Sequence, residues 1–338
     1  MVGQRNETAT PICCPIIRLN NSPTHRITNN MPYPIENKLV IAVASSALFN
    51  LEESDKVFRE QGESAYRAYQ EANIDVPFKK GVAFPFIKRL LSLNDAFPDE
   101  QPVEVVLLSK NSPETGERAF RSIKHYGLDM CRACFTTGMQ NFQYLPAFNA
   151  ALFLSANTDD VKAALQAGYA AGRVLPTKYV DDNDTDKQLR LAFDFDGVLA
   201  SDESEKIYKT SGDINEFYSH EVEHATEALE LGPVGVLLQK ISAFQQLEKQ
   251  RAAIDASYQR ILKTAIVTAR SAPAHQRVVA SLKAWGVEVD DAFFLGGIEK
   301  ARILNIMKPH IFFDDQMTHF EGIENVLAVH IPFGIANV

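Results

Sequence analysis

Short apolar runs recur along the chain, and most are followed by a stretch whose apolar residues return every three or four positions. That alternation of strand and helix patterns predicts strands near 39–44, 104–109 and 151–155 in the first half. In the second half it predicts strands near 190–194, 263–268, 292–295, 310–313 and 326–331. Val278, Val279, Leu282 and Trp285 mark one of the intervening helix faces. Strands that alternate with helices pair in parallel through right-handed crossovers, which gives an α/β fold.

Polar stretches interrupt the pattern. Residues 1–37, rich in Asn, Thr and Pro, read as a disordered arm or one that packs on a neighbouring subunit. TKYVDDNDTDKQ (177–188) follows Pro176 and reads as a junction between units at 38–176 and 189–338. Between about 201 and 260 the pattern is helical, an insertion inside the second unit.

The two units resemble each other. LLSKNSPETGERAFRSIKHYGL (107–128) lies over IVTARSAPAHQRVVASLKAWGV (266–287) with a shift of 159, as in 268 − 109 and 277 − 118. Upstream, with a shift of 150 or 151, ESDKVFREQG (53–62) falls on ESEKIYKTSG (203–212), and Gly81 falls on Gly232. A period this long indicates two copies of one domain and not a solenoid.

The ends of the second unit's strands carry chemistry. LAFDFDGV (191–198) runs into Asp194 and Asp196, and side chains two apart on a strand share a face. Two carboxylates at one point call for a cation or a shared proton; the plainer reading is a turn rich in Asp and Gly. Downstream, TAIVTAR ends in Thr268, Lys300 follows FFLGG, and IFF ends in Asp314 and Asp315. Ligands of open α/β sheets bind beyond the carboxyl ends of the strands. A carboxylate nucleophile, a hydroxyl, a lysine and a second acidic pair suit phosphoryl transfer with a divalent metal. At the equivalent places the first copy has Val43 and Ser45, Asn141, and Ser155 with Ala156; only a hydroxyl, Ser109, persists. The first copy is therefore expected to be non-catalytic.

Composition adds limits. A chain of 338 residues, 46% of them hydrophobic, can bury two cores. Its net charge of −9 argues against general binding to nucleic acid or anionic membranes. The polar start has no apolar signal core, and no run nears the ~20 residues that cross a bilayer. Cys13, Cys14, Cys131 and Cys134 read as reduced thiols, although Cys131 and Cys134 have the spacing of metal ligands.

The ordered set DFDGV, IVTAR, GGIEK and IFFDD resembles the four motifs of haloacid-dehalogenase-type phosphatases. SDESE (201–205), TARSAPAH (268–275), PHIFFDDQMTH (309–319), FPFIKRL (84–90) and LSKNSPETG (108–116) narrow the resemblance to the cytosolic 5'-nucleotidase I family. It implies a Rossmann-like catalytic C-terminal lobe with the 201–260 insertion as its cap; the N-terminal Rossmann-like lobe, a degenerate copy, is read from the internal repeat. Asp194 would be the nucleophile that forms an aspartyl-phosphate, and Asp196 the acid and then the base. Thr268 and Lys300 would grip the phosphoryl group. Mg²⁺ would be held by Asp194, the carbonyl of Asp196, and Asp314 or Asp315.

Substrate contacts are sought at Ser204, Tyr208, Arg270 and His275, with His319, Phe217 and Tyr218 as further candidates; Arg277 is a second cation for an anionic substrate. Ser204 is better read as a helix cap. The resulting expectation is a cytoplasmic, Mg²⁺-dependent 5'-nucleotidase acting on nucleoside monophosphates, AMP foremost, and assembling as a homo-oligomer. Alternatives are a phosphatase of another small phosphoester and a nucleotide-binding regulator without turnover. A nucleotide effector in the first copy's cleft is a third expectation.

Overall fold

The computed structural model describes residues 33–176 and 186–337. Most of the expected arm, with Cys13 and Cys14, and most of the expected junction lie outside these residues. The first half runs β1 (Leu39–Ala44), α1 (Ser45–Leu48), β2 (Phe49–Asn50), α2 (Glu52–Ala72), β3 (Lys79–Lys80), α3 (Phe84–Ser92), β4 (Val103–Ser109), α4 (Pro113–His125), β5 (Arg132–Phe135), β6 (Ala150–Ser155), α5 (Thr158–Gln166) and β7 (Ala171–Val174). The second half runs β8 (Leu189–Phe193), α6 (Glu203–Ser211), α7 (Ile214–Glu223), α8 (Gly235–Ile254), β9 (Leu262–Thr268), α9 (His275–Trp285), β10 (Asp291–Phe294), α10 (Lys300–Met307), β11 (Ile311–Asp314) and β12 (Leu327–His330).

Local sequence accounts for these elements. β1 (LVIAVA) and β4 (VEVVLLS) are buried at every position, as strands covered on both faces must be. α4 begins where Ser112 Oγ accepts the Thr115 N–H and Pro113 occupies the first turn. α5 begins where Asn157 accepts from the N–H groups of Asp159 and Asp160.

Every strand but β2 and β3 joins one sheet, in the order β10-β9-β8-β11-β12-β7-β6-β1-β4-β5. Read outward from the centre, each half gives its fifth, fourth, first, second and third main strand. Within this sheet, pairing is parallel inside each half. Among its described strands β7 and β12 alone meet antiparallel, with Val174 opposite Val329 and Arg173 opposite His330, while β2 and β3 form a separate antiparallel pair. The halves are thus fused edge to edge and do not stand as two separate lobes.

Hydrogen bonds repeat at the spacings read from the sequence. Ser122 Oγ accepts from Phe78 N at 2.9 Å, and Ser281 Oγ from Leu229 N at 3.0 Å. Arg118 Nε donates to Val76 O at 2.8 Å, and Arg277 Nε to Glu227 O at 3.2 Å. Tyr126 Oη donates to Phe78 O at 2.8 Å, and Trp285 Nε1 to Leu229 O at 3.0 Å. Gly81 N and Gly232 N donate to Leu48 O and Leu199 O at 2.9 and 2.7 Å. Neither glycine has room for a side chain: a Cβ at Gly232 would lie 2.3 Å from Ala200 O, and one at Gly81 2.6 Å from Ala47 O.

One hydrophobic cluster draws residues from both halves, including Leu39, Leu107, Phe193 and Phe313. Phe97 meets Phe244 edge-on at 5.3 Å across the two halves. The expected 201–260 insertion divides in two. α6 and α7 pack on each other, whereas α8 leaves them and lies against β1 and β6. Lys240 of α8 donates to Asn149 O at 3.1 Å. None of the described helices is long and apolar enough to cross a membrane.

Candidate active site

β9, β8 and β11 are parallel neighbours, so their carboxyl ends share one edge of the sheet. Thr268 ends β9, Asp194 follows β8, Asp314 ends β11 with Asp315 next, and Lys300 opens α10. All five side chains are buried. Lys300 Nζ lies 2.7 Å from Asp194 Oδ2 and 2.6 Å from Asp314 Oδ2. Asp194 Oδ1 accepts from Phe195 N at 2.7 Å. Asp314 Oδ1 accepts from Gln316 N at 2.9 Å and sits 2.9 Å from His319 Nδ1. The Thr268 hydroxyl accepts from Arg270 N at 3.2 Å.

The electrostatics follow from crowding. Burial lifts the Asp194 pKa to about 7; Lys300 opposes that rise and Asp314 adds to it. Burial works against the Lys300 charge, yet Asp194 and Asp314 hold its pKa above the ordinary value. Burial would raise Asp314, but Lys300 and His319 bring it below the usual carboxylate range. Asp315 is pushed up to about 9 by burial and then by Asp194, Asp314 and Glu205.

Neither carboxylate oxygen of Asp315 has a hydrogen-bond partner. A buried, orphaned carboxylate beside two others fits a hard divalent cation. Asp194, Asp314 and His319 also present ligand atoms within 4.8 Å of one another. The two groupings differ, and the contacts favour Asp194 with Asp315. The oxygens of Asp314 already serve Lys300, His319 and Gln316 N, while those of Asp315 serve nothing.

A tight turn sets Asp194 and Asp196 apart. Leu199 N and Ala200 N both donate to Phe195 O, at 3.0 and 2.8 Å. Gly197 takes φ +70°, and a Cβ there would approach the Asp315 carboxyl carbon to 2.8 Å. Glycine is required by conformation and by space. Asp196 is consequently turned toward Arg270, which donates to it twice, from Nε and Nη2, each at 2.7 Å. Arg270 Nη1 binds Glu221 of α7. Glu221 is fully buried and also accepts from Arg277 Nη1 at 3.2 Å and Ser204 Oγ at 2.6 Å.

The sequence-predicted contacts therefore divide. Asp194, Lys300, Asp314 and Asp315 converge, with Thr268 on the same edge. Arg270 is spent on Asp196 and Glu221. Ser204 is fully buried on Glu221 and is not the cap of α6, whose N-cap residue is Asp202. His275 begins α9 with its ring 5.7 Å from Phe294, and its Nδ1 has no partner. Tyr208 is half exposed on α6. Phe217 lies under Arg270 at 5.6 Å, and Tyr218 Oη is 3.0 Å from Ser271 Oγ. Glu221 was missed by sequence reading. Its signal was the correspondence of Glu221 with Gln70 at the shift of 151 (221 − 70).

A family model described as 5'-nucleotidase matches residues 31–338. Human "Cytosolic 5'-nucleotidase 1B" is 37% identical over 303 residues, covering 87% of this chain and 49% of the relative. The chain spans about half the length of that curated relative.

Proposed function

Because the chain belongs to the 5'-nucleotidase family, we propose that it hydrolyses nucleoside 5'-monophosphates, AMP foremost, through an aspartyl-phosphate on Asp194. The observation that carries this reading is Lys300 bridging Asp194 and Asp314 beside the unpartnered Asp315. Asp194 Oδ2 attacks phosphorus, the bond from phosphorus to O5' breaks, and the electron pair leaves on O5' with a proton from Asp196. A water then attacks the aspartyl-phosphate, giving its proton to Asp196, and phosphate departs. Lys300 and the Thr268 hydroxyl hold the phosphoryl oxygens, and the Lys300 charge offsets the negative charge gathered there.

Asp194, the carbonyl of Asp196 and Asp315 would hold Mg²⁺. Such an ion would supply positive charge beside the phosphoryl oxygens and would favour the ionised forms of Asp194 and Asp315, which burial and then neighbouring carboxylates disfavour. α6 and α7 form the cap over this edge, with Tyr208 as a candidate face for the base.

We read the first half as a copy of the second that has lost this chemistry. The shared strand order and the repeated hydrogen bonds support the duplication. Ser45 Oγ lies 3.1 Å from Ser109 Oγ, where the second half has Asp196 and Thr268. With no carboxylates at the equivalent strand ends, this half lacks the counterparts of the proposed nucleophile and metal ligands.

Phosphate release from a panel of nucleotides and sugar phosphates tests the substrate reading, and equal rates on both classes would defeat it. Asp194→Asn is expected to lose turnover by about 10³-fold or more while still binding nucleotide. A variant as fast as the parent would rule out the covalent route.

A further inference from the structure

We propose that Arg270 and Glu221 are positioning residues that fix the carboxyl group of Asp196 and tie its placement to the cap. The inference rests on the reading of Asp196 as the acid. Three observations carry it.

The first is geometric. The Arg270 guanidinium is buried and fully committed. Two of its nitrogens hold Asp196 at 2.7 Å each, and the third binds Glu221 with a further contact to Ala274 O at 3.3 Å. A two-pronged contact fixes the plane of a carboxylate as well as its distance.

The second is the cost of the arrangement. Glu221 is fully buried with Arg270 and Arg277 around it. Burying several charges together is weak as a source of stability, since desolvation offsets much of the attraction. A buried cluster that ends on a candidate acid calls for a reason other than folding.

The third is an internal control. At the same places in the first half the chain has Ser45 for Asp196, Asn111 for Arg270, Gln70 for Glu221 and Arg118 for Arg277; the shifts are 151, 159, 151 and 159. Arg118 Nη1 donates to Gln70 Oε1 at 3.1 Å, much as Arg277 Nη1 donates to Glu221 at 3.2 Å. The half without the catalytic carboxylates thus keeps the arginine that braces the helices. It lacks the charges on the line from acid to cap. Arg277 behaves as structure, and Arg270 and Glu221 as part of the chemistry.

In the step itself, Asp196 keeps one prong of Arg270. Its other oxygen, released from the second prong when substrate enters, takes a proton from solvent water and passes it to O5' as the bond from phosphorus to O5' breaks, leaving Asp196 a carboxylate again. Without the clamp the carboxyl group loses its fixed position, and proton delivery suffers while phosphorus remains open to Asp194.

The test exploits the leaving group. Nitrophenolate departs from phosphorus without a proton, whereas the alkoxide of a nucleoside needs one. Glu221→Gln and Arg270→Asn install the side chains that the first half already accommodates, and Arg270→Lys retains the charge if Arg270→Asn does not fold. With Mg²⁺ present, kcat/KM is measured on AMP and on p-nitrophenyl phosphate, with circular dichroism to confirm folding. Each variant is expected to lose about 10- to 100-fold on AMP and less than about threefold on the aryl ester, and the double variant to be no slower than Arg270→Asn alone. Equal losses on both esters, or no loss from Glu221→Gln, would overturn the clamp while leaving the phosphatase reading intact. A parent that splits neither ester would sink both. A parent that splits the aryl ester and sugar phosphates but no nucleotide would sink only the substrate assignment, and the comparison is then made on the sugar phosphate.

Discussion

Asp315 and Asp194 share a strained position at the residue scale: both are buried, and both hold protons more tightly than ordinary carboxyl groups, to about 9 and about 7. Metal ligands must shed their protons. Below the Asp194 value both protons must be expelled by an incoming Mg²⁺, and above the Asp315 value neither remains. Mg²⁺ affinity is therefore expected to rise with pH across that window. Titration calorimetry in two buffers of different ionisation heat should report proton release that shrinks as pH increases. A heat that is the same in both buffers at neutral pH would show that these carboxyl groups are not the ligands. Chelation should stop phosphate release and added Mg²⁺ restore it.

Elements matter through what anchors them. The C-terminal part of α8 is held to the start of β9 by Glu248, fully buried, whose Oε1 accepts from Ile261 N at 2.6 Å, Leu262 N at 3.3 Å and Tyr258 Oη at 3.0 Å. Burial raises its pKa above the usual glutamate value, against the pull of those donors and of Arg260. A raised folded-state pKa means that the native state binds the proton more tightly than the unfolded chain. The group therefore contributes fully below about 4.5, and the contribution fades as pH climbs through the raised value. Glu248→Gln keeps an acceptor without the titration. Its melting temperature relative to the parent should rise between pH 4 and pH 7 by a few degrees, read by calorimetry. A difference that stays flat with pH would assign the raised pKa no role in stability.

For the whole molecule, the antiparallel join of β7 to β12 and the shared hydrophobic cluster bind the two halves through one sheet and one core. A single calorimetric transition is expected for the full chain. Residues 189–338 alone would expose the β12 edge and the apolar surface that faces the first half, so that fragment should aggregate and release no phosphate. Two well-separated transitions would mean that the halves fold independently. The join also gives the first half a structural role, since it covers the β12 edge of the second half's strands and seats α8 against β1 and β6.

Much of this was written in the chain. Alternating apolar runs located most of the main strands to within a residue or two, because all of these except the edge strand β10 are largely buried and admit little else. Asp194, Thr268, Lys300, Asp314 and Asp315 were legible as candidates because each stands at or next to a strand or helix end, and parallel strands bring such ends to one edge, whereas the turn after β8 sends Asp196 toward Arg270. The proposed internal copy shows in the chain as a nearly constant spacing between like residues, 150 or 151 upstream and 159 downstream. β5 and β7 were not legible, since RACF and AGRV are too short and mixed to stand out. Only the tertiary structure decided that the two halves share one sheet, that α8 leaves α6 and α7, and that Arg270 turns to Asp196 and Glu221. The physical reason is the same in each case: strand partners across β7 and β12, and charge partners from α7 to the turn after β8, are chosen by packing between distant segments. No local pattern of apolar and polar residues records those choices.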